Sequence, residues 1–128
     1  MNSTLAARTA ALFGFSAVAL GAFGAHGLKA TLESYGTAAI WQTAALYHLV
    51  HAVVLLVLAQ RETPPRGSVL LFAGGIVIFS GSLYLLAVTN VKWLGAITPL
   101  GGVSLLAGWL SLIAKTPKPK TQAPEKPR

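Results

Sequence analysis

The 128-residue chain has no cysteine, one methionine and only three acidic residues. Without cysteine there are no disulfides and no thiolate metal sites, although the compartment stays open. The three acids are Glu33, Glu62 and Glu125, and there is no aspartate. All three fall in segments that read as loop or tail. No carboxylate is therefore placed to complete a Ser–His–Asp triad or an acid–base pair within the apolar part of the chain. Charge of either sign is scarce, at 10% of residues, against roughly 25% in an average soluble domain.

What remains is apolar and arranged in blocks. Charges cluster at Arg8, at Lys29 and Glu33, at Arg61, Glu62 and Arg66, at Lys92, and from Lys115 onward. Between them lie four uncharged runs, Thr9–Leu28, Ser34–Gln60, Gly67–Val91 and Trp93–Ala114, of 20, 27, 25 and 22 residues. About 20 helical residues cross a hydrocarbon layer of roughly 30 Å. Four such runs in so short a chain leave no soluble surface. The sequence thus predicts an all-α integral membrane protein, a four-helix transmembrane bundle. Residues 1–8 form a cytoplasmic N-terminus and 9–114 the membrane domain, with spans at about 9–28, 38–60, 67–89 and 93–114. Residues 115–128, KTPKPKTQAPEKPR, form a disordered basic tail with four prolines and no large apolar residue. The first run is rich in small residues throughout and lacks a polar cleavage region, so it reads as a retained span rather than a signal peptide.

Lysine and arginine counts predict orientation. With four spans, both termini and the middle loop share one side. That side holds Arg8, Arg61, Arg66, Lys115, Lys118, Lys120, Lys126 and Arg128; the other holds only Lys29 and Lys92. Both termini are expected in the cytoplasm of a bacterial cell, with the spans in its inner (plasma) membrane. The net charge of +7 is topology signal plus a tail that can touch anionic headgroups, and no nucleic acid is implied. Trp93 and Tyr35 fit an aromatic belt at the opposite interface. Nearby, LKATLESYG can form a short interfacial helix.

Helical phase at 100° per residue assigns faces. In span two, Trp41, Ala44, Ala45, His48, His51, Ala52 and Leu55 share an arc of about 120°. Leu46, Leu49, Val50, Val53 and Val57 oppose it. Imidazole is poorly solvated by lipid, so the histidine arc should face protein. Span one gathers Ala10, Gly14, Ala17, Gly21, Gly24 and Ala25, including an Ala17–Gly21–Ala25 ladder that permits close approach. Span three gathers Ala73, Gly74, Val77, Ser80, Gly81 and Tyr84. Span four gathers Thr98, Gly101, Ser104, Gly108 and Ser111, with a kink expected at Pro99. These small faces are expected to point inward.

The stretches ALGAFGAHGLK at 19–29, WQTAALYHLVHA at 41–52, FSGSLYLL at 79–86 and ITPLGG at 97–102 together resemble the small four-span membrane family catalogued as domain of unknown function 423. The resemblance covers roughly residues 8–114. It implies four transmembrane helices and, as the family's description says, no established activity. The positions matching its motifs are Gly21, Gly24, His26 and Gly27, then Trp41, Tyr47, His48, His51 and Ala52, then Ser80, Gly81, Tyr84, Pro99 and Gly101.

The histidines carry the candidate chemistry. His48 and His51 lie about 60° apart on span two, so both rings can reach one interior site. Zinc or copper needs three or four ligands, and His26 is the sole further histidine. It closes span one near the interface, about 10–20 Å from the pair along the axis. No acid faces inward, so no metal site is expected. Haem needs a histidine on each of two facing helices, and these two share one, so no cofactor is expected. GAFGAHG ends a helix rather than opening one after a strand, which excludes a dinucleotide fingerprint.

The leading reading is a non-enzymatic membrane component, an accessory or scaffold. In it, neutral histidines hydrogen-bond across the bundle to Ser80, Tyr84, Thr98 or Ser104. A second reading is a small-molecule or ion-handling protein with a site at His48, His51, Trp41 and Tyr47. A third is a metal or cofactor binder in a redox assembly. His26, Gly24 and Gly27 form a separate outer-end motif. The expected partner is the lipid bilayer, with a second copy or another membrane protein as further candidates.

Overall fold

A computed structural model describes residues 1–116. The tail predicted to be disordered lies, beyond Thr116, outside the described residues. The chain runs α1 (Ser3–Ala25), α2 (Lys29–Tyr35), α3 (Ala38–Ala59), α4 (Arg66–Thr89), a 3₁₀ turn (Lys92–Ala96) and α5 (Thr98–Ala114). Four of these segments, α1, α3, α4 and the 3₁₀ turn with α5, are long and apolar enough to cross a membrane.

Local chemistry sets the boundaries. Asn2 caps α1, its side-chain oxygen accepting from Thr4 N at 2.8 Å and Leu5 N at 3.3 Å. The helix therefore starts at Ser3, ahead of the uncharged run that opens at Thr9, and Arg8 rides on its exposed side. At the other end, His26 and Gly27 turn the chain into α2, the short helix expected in LKATLESYG. Gly36, in the left-handed region at φ 66°, closes α2. Asn90, at φ 55°, closes α4 in the same way.

Pro99 corrects an expectation. It sits in the first turn of α5, not inside a continuous span. A first-turn proline lacks only an N–H that would be unpaired anyway. The fourth span therefore changes from 3₁₀ to α here instead of kinking around a freed carbonyl.

The helices pack α1 on α3, α3 on α4 and α4 on α5. Among the described residues, α1 and α5 make no comparable contact, so the bundle is open along that side. This places α3 and α4 at the centre. The α3 phases agree with expectation. Trp41, Ala44, His48, His51, Ala52 and Leu55 are buried, and Leu46, Leu49, Val50, Val53 and Val57 are exposed.

The small face of α1 is oriented largely as expected, with Ala10, Ala17 and Gly24 of the predicted six buried, Gly14 and Gly21 part-buried and Ala25 exposed, but that of α4 is not. Of the predicted Ala17–Gly21–Ala25 ladder only Ala17 is buried. The buried seam is Ala6, Ala10, Ala17 and Gly24. Trp41 sets that phase, because a methyl group at Gly24 would overlap its indole. On α4 only Ser80 of the predicted six is buried. With neighbours on both flanks, α4 fills the core with Phe72 and Ile76 instead. On α5, Thr98, Gly101 and Gly108 do face inward, as the phase predicts. Gly101 meets the Phe79 backbone and Gly108 the Phe72 ring.

Candidate functional site

Every buried polar group needs a partner, most of all where water is absent. Hydroxyls near facing backbone use it. Thr37 Oγ1 donates to Ala87 O at 2.6 Å, and Ser80 Oγ to Ala44 O at 2.8 Å, both joining α3 to α4. Ser104 Oγ donates to Leu71 O at 2.7 Å, and Ser82 and Thr98 pair at 2.6 Å, both joining α4 to α5. Ser80, Thr98 and Ser104 therefore do not reach the histidines. Each of these three hydroxyls meets a carbonyl or hydroxyl on the helix facing it instead.

Of the expected histidine partners, only Tyr84 is one. Its hydroxyl lies 3.1 Å from His48 Nδ1, and Ser16 Oγ lies 3.2 Å from His48 Nε2. Ser16 gives its one hydroxyl proton to Phe13 O at 3.1 Å, so it accepts from the ring. His48 then carries its proton on Nε2, and Nδ1 accepts from Tyr84. The chain of bonds runs from α4 through α3 to α1.

His51 is assigned the opposite tautomer. The Trp109 indole N–H, which can only donate, reaches His51 Nε2 at 3.2 Å. Nδ1 must then hold the proton, and it donates to Tyr47 O one turn earlier at 2.7 Å. The bond to Trp109 ties α3 to α5 across α4.

The two rings thus do not share one interior site, as their common arc suggested. His48 turns toward α1 and α4, and His51 toward α5. The 60° between them is enough to separate them because α3 has neighbours on both flanks. Trp41 lies on the α1 side, donating to Leu20 O at 2.9 Å, with its ring 4.6 Å from that of Tyr84. Tyr47 lies on the other side, half exposed, with its ring 4.6 Å from Phe79.

The outer-end motif stands apart. His26 is exposed and caps α1 through its backbone N–H, bonded to Ala22 O and Phe23 O. Gly27 lies in the turn under the Phe23 ring, and Gly24 belongs to the Trp41 contact. Among the described residues no three His, Cys, Asp or Glu side chains come together as a metal site requires.

Sequence reasoning missed Ser16 and Trp109. Ser16 is the one hydroxyl in the middle of the first span, and Trp109 carries the one N–H donor near its level in the fourth. Each was a candidate simply because a polar atom in an apolar span needs a partner.

Known proteins place the chain. The family model described as "Protein of unknown function (DUF423)" matches residues 20–102. UPF0382 membrane protein YwdK of Bacillus subtilis is 46% identical over 110 residues, covering 80% of this chain and 87% of that protein. UPF0382 membrane protein SERP0230 of Staphylococcus epidermidis is 48% identical over 113 residues, covering 84% and 91%. UPF0382 inner membrane protein YgdD of Escherichia coli is 43% identical over 109 residues, covering 81% and 82%. No solved structure matches the chain. The four apolar helices and these relatives lead to one conclusion: the chain is an integral membrane protein that belongs to the DUF423 family.

Proposed function

We propose that the chain is a non-enzymatic component of a bacterial inner membrane, an accessory or scaffold protein with both termini in the cytoplasm. The observation that carries this reading is that all four ring nitrogens of His48 and His51 are occupied by partners within the chain. A catalytic base or ligand needs a free lone pair aimed at a substrate. These rings spend theirs on neighbouring helices. The open side of the bundle, where α1 and α5 do not meet, supports lateral packing with a second copy or another membrane protein. The location draws support from the inner membrane name of the E. coli relative. The orientation draws support from the eight-to-two bias of Lys and Arg.

The absence of native cysteine makes the test clean. Single cysteines at Ala11 on α1, at Leu110 on α5 and at Val53 on the lipid face of α3 are cross-linked in membranes with a thiol-to-photoreactive reagent. Protein adducts are expected at Ala11 or Leu110 and only lipid adducts at Val53. Lipid adducts alone at all three positions contradict lateral assembly. An impermeant maleimide should label a cysteine at Lys92 in intact cells and one at Glu62 only after lysis; the reverse pattern contradicts the orientation.

A further inference from the structure

Near the middle of the spans, one hydroxyl has no partner among the described residues; Gln42 and Thr43, exposed and nearer the start of α3, make no side-chain hydrogen bond either. The Tyr47 hydroxyl makes no hydrogen bond, although the Tyr47 carbonyl serves His51. Tyr47 is the tenth residue of α3, about 14 Å along the helix. It therefore lies inside the apolar layer, where water cannot supply an acceptor. An unpaired phenol in hydrocarbon is costly enough to call for an occupant.

The phenol borders a groove of about 340 Å³ that runs between α3 and α5 over Phe79 of α4. That is within the usual size range of small-ligand sites and too small for a helix. Tyr47 and Trp109, each more than 40% exposed, form aromatic rims. Gly102 leaves the wall between them low, with the Phe79 ring 3.8 Å from where a methyl would stand. No charged side chain lines the groove, so a charged ligand would have no counter-ion. The Trp109 N–H is already spent on His51, which leaves the Tyr47 O–H as the donor on offer. An acyl chain brings no acceptor to meet it. Phospholipid headgroups sit at the interface. The backbone carbonyls of a neighbouring transmembrane helix are used within that helix.

We propose that this groove binds a neutral, lipid-soluble ring carrying a carbonyl, the chemistry of a quinone headgroup, with Tyr47 donating to the carbonyl and the ring packed between Tyr47 and Trp109. Aromatic rings prefer such offset or edge contacts with one another. Entry is lateral, from the bilayer. The groove shares His51 and Trp109 with the interhelical bonds, but the Tyr47 hydroxyl takes no part in them, so Tyr47→Phe tests the site without disturbing the bonds on which the scaffold reading rests.

The test uses the full chain in phosphatidylcholine nanodiscs. An azido-substituted benzoquinone is photolysed and its adducts are mapped by mass spectrometry, with decyl-benzoquinone as competitor. Adducts are expected at residues 46–51 and 102–109, and decyl-benzoquinone should displace them. Tyr47→Phe removes only an unbonded hydroxyl, so the fold is kept. It should raise the half-displacing concentration about fivefold, the loss of one hydrogen bond. Gly102→Leu, which fills the groove, should remove the competable adducts. Adducts spread evenly over lipid-facing positions, adducts that decyl-benzoquinone does not displace, or equal competition in wild type and Tyr47→Phe would each overturn the proposal.

Discussion

An imidazole inside a bilayer is tolerated when both of its nitrogens are occupied, and the kind of partner fixes the tautomer. The two histidines of α3 illustrate how different three residues of spacing can be. His48 faces oxygen atoms on both sides, a phenol and a serine hydroxyl, which can give or take a proton. His51 faces an indole N–H, which can only give. Replacing Tyr84 by Phe leaves His48 Nδ1 buried without a donor. A loss of about 1 kcal/mol of stability is expected, in the range of interhelical bonds measured in membranes. Chemical or thermal unfolding of the variant in lipid checks this, and unchanged stability would remove His48 from the account. At this scale the sequence was partly legible. That the histidines face inward follows from lipid's poor solvation of imidazole. Which groups meet them depends on helix rotation and axial offset, so Ser80, Thr98 and Ser104 were plausible partners that geometry assigned elsewhere.

At the scale of the element, helix pairs are spaced by their glycines. Four interhelical contacts require the missing side chain: Gly24 beneath the Trp41 indole, Gly75 against Leu105, Gly101 against the Phe79 backbone and Gly108 against the Phe72 ring. Gly14, Gly21, Gly74 and Gly81 have nothing within 4 Å of an added methyl. Glycine content alone could not separate the two sets, since both lie on small-residue faces at helical spacing. The separation arises from the bulky partner: Trp41 chooses Gly24 over Gly21. The prediction is a contrast. Gly24→Ala should cost about 1–3 kcal/mol through overpacking and loss of the Trp41–Leu20 bond. Gly101→Ala should cost at least as much, because backbone cannot move aside as an indole can. Gly21→Ala should change stability by less than about 0.5 kcal/mol. Equal costs at Gly21 and Gly24 would mean that α1 packs on a different face. The span count was legible from charge-free runs alone, and the Pro99 boundary was not, because a proline at a first turn and one at a kink share the same local sequence.

At the scale of the whole molecule, the centre of the fold is a pair, α3 and α4, with α1 and α5 laid against opposite flanks. The binary pattern of α3, apolar outward and polar inward, was readable because only lipid lies on its far side. The pattern of α4 was not, because its buried side is filled by large residues such as Phe72 and Ile76 rather than by its small ones. In such an open arrangement α5 is held by α4 and, across it, by the bond from Trp109 to His51, the one α3–α5 hydrogen bond among the described residues. The central claim is that the histidines serve the architecture. The most direct test is a double-mutant cycle on that bond, with His51→Ala, Trp109→Phe and the pair compared by reversible unfolding in lipid. The account predicts a coupling of about 0.5–1.5 kcal/mol, each single variant being destabilised and the second substitution costing less once the first is made. Strictly additive losses, with no coupling between His51 and Trp109, would contradict it.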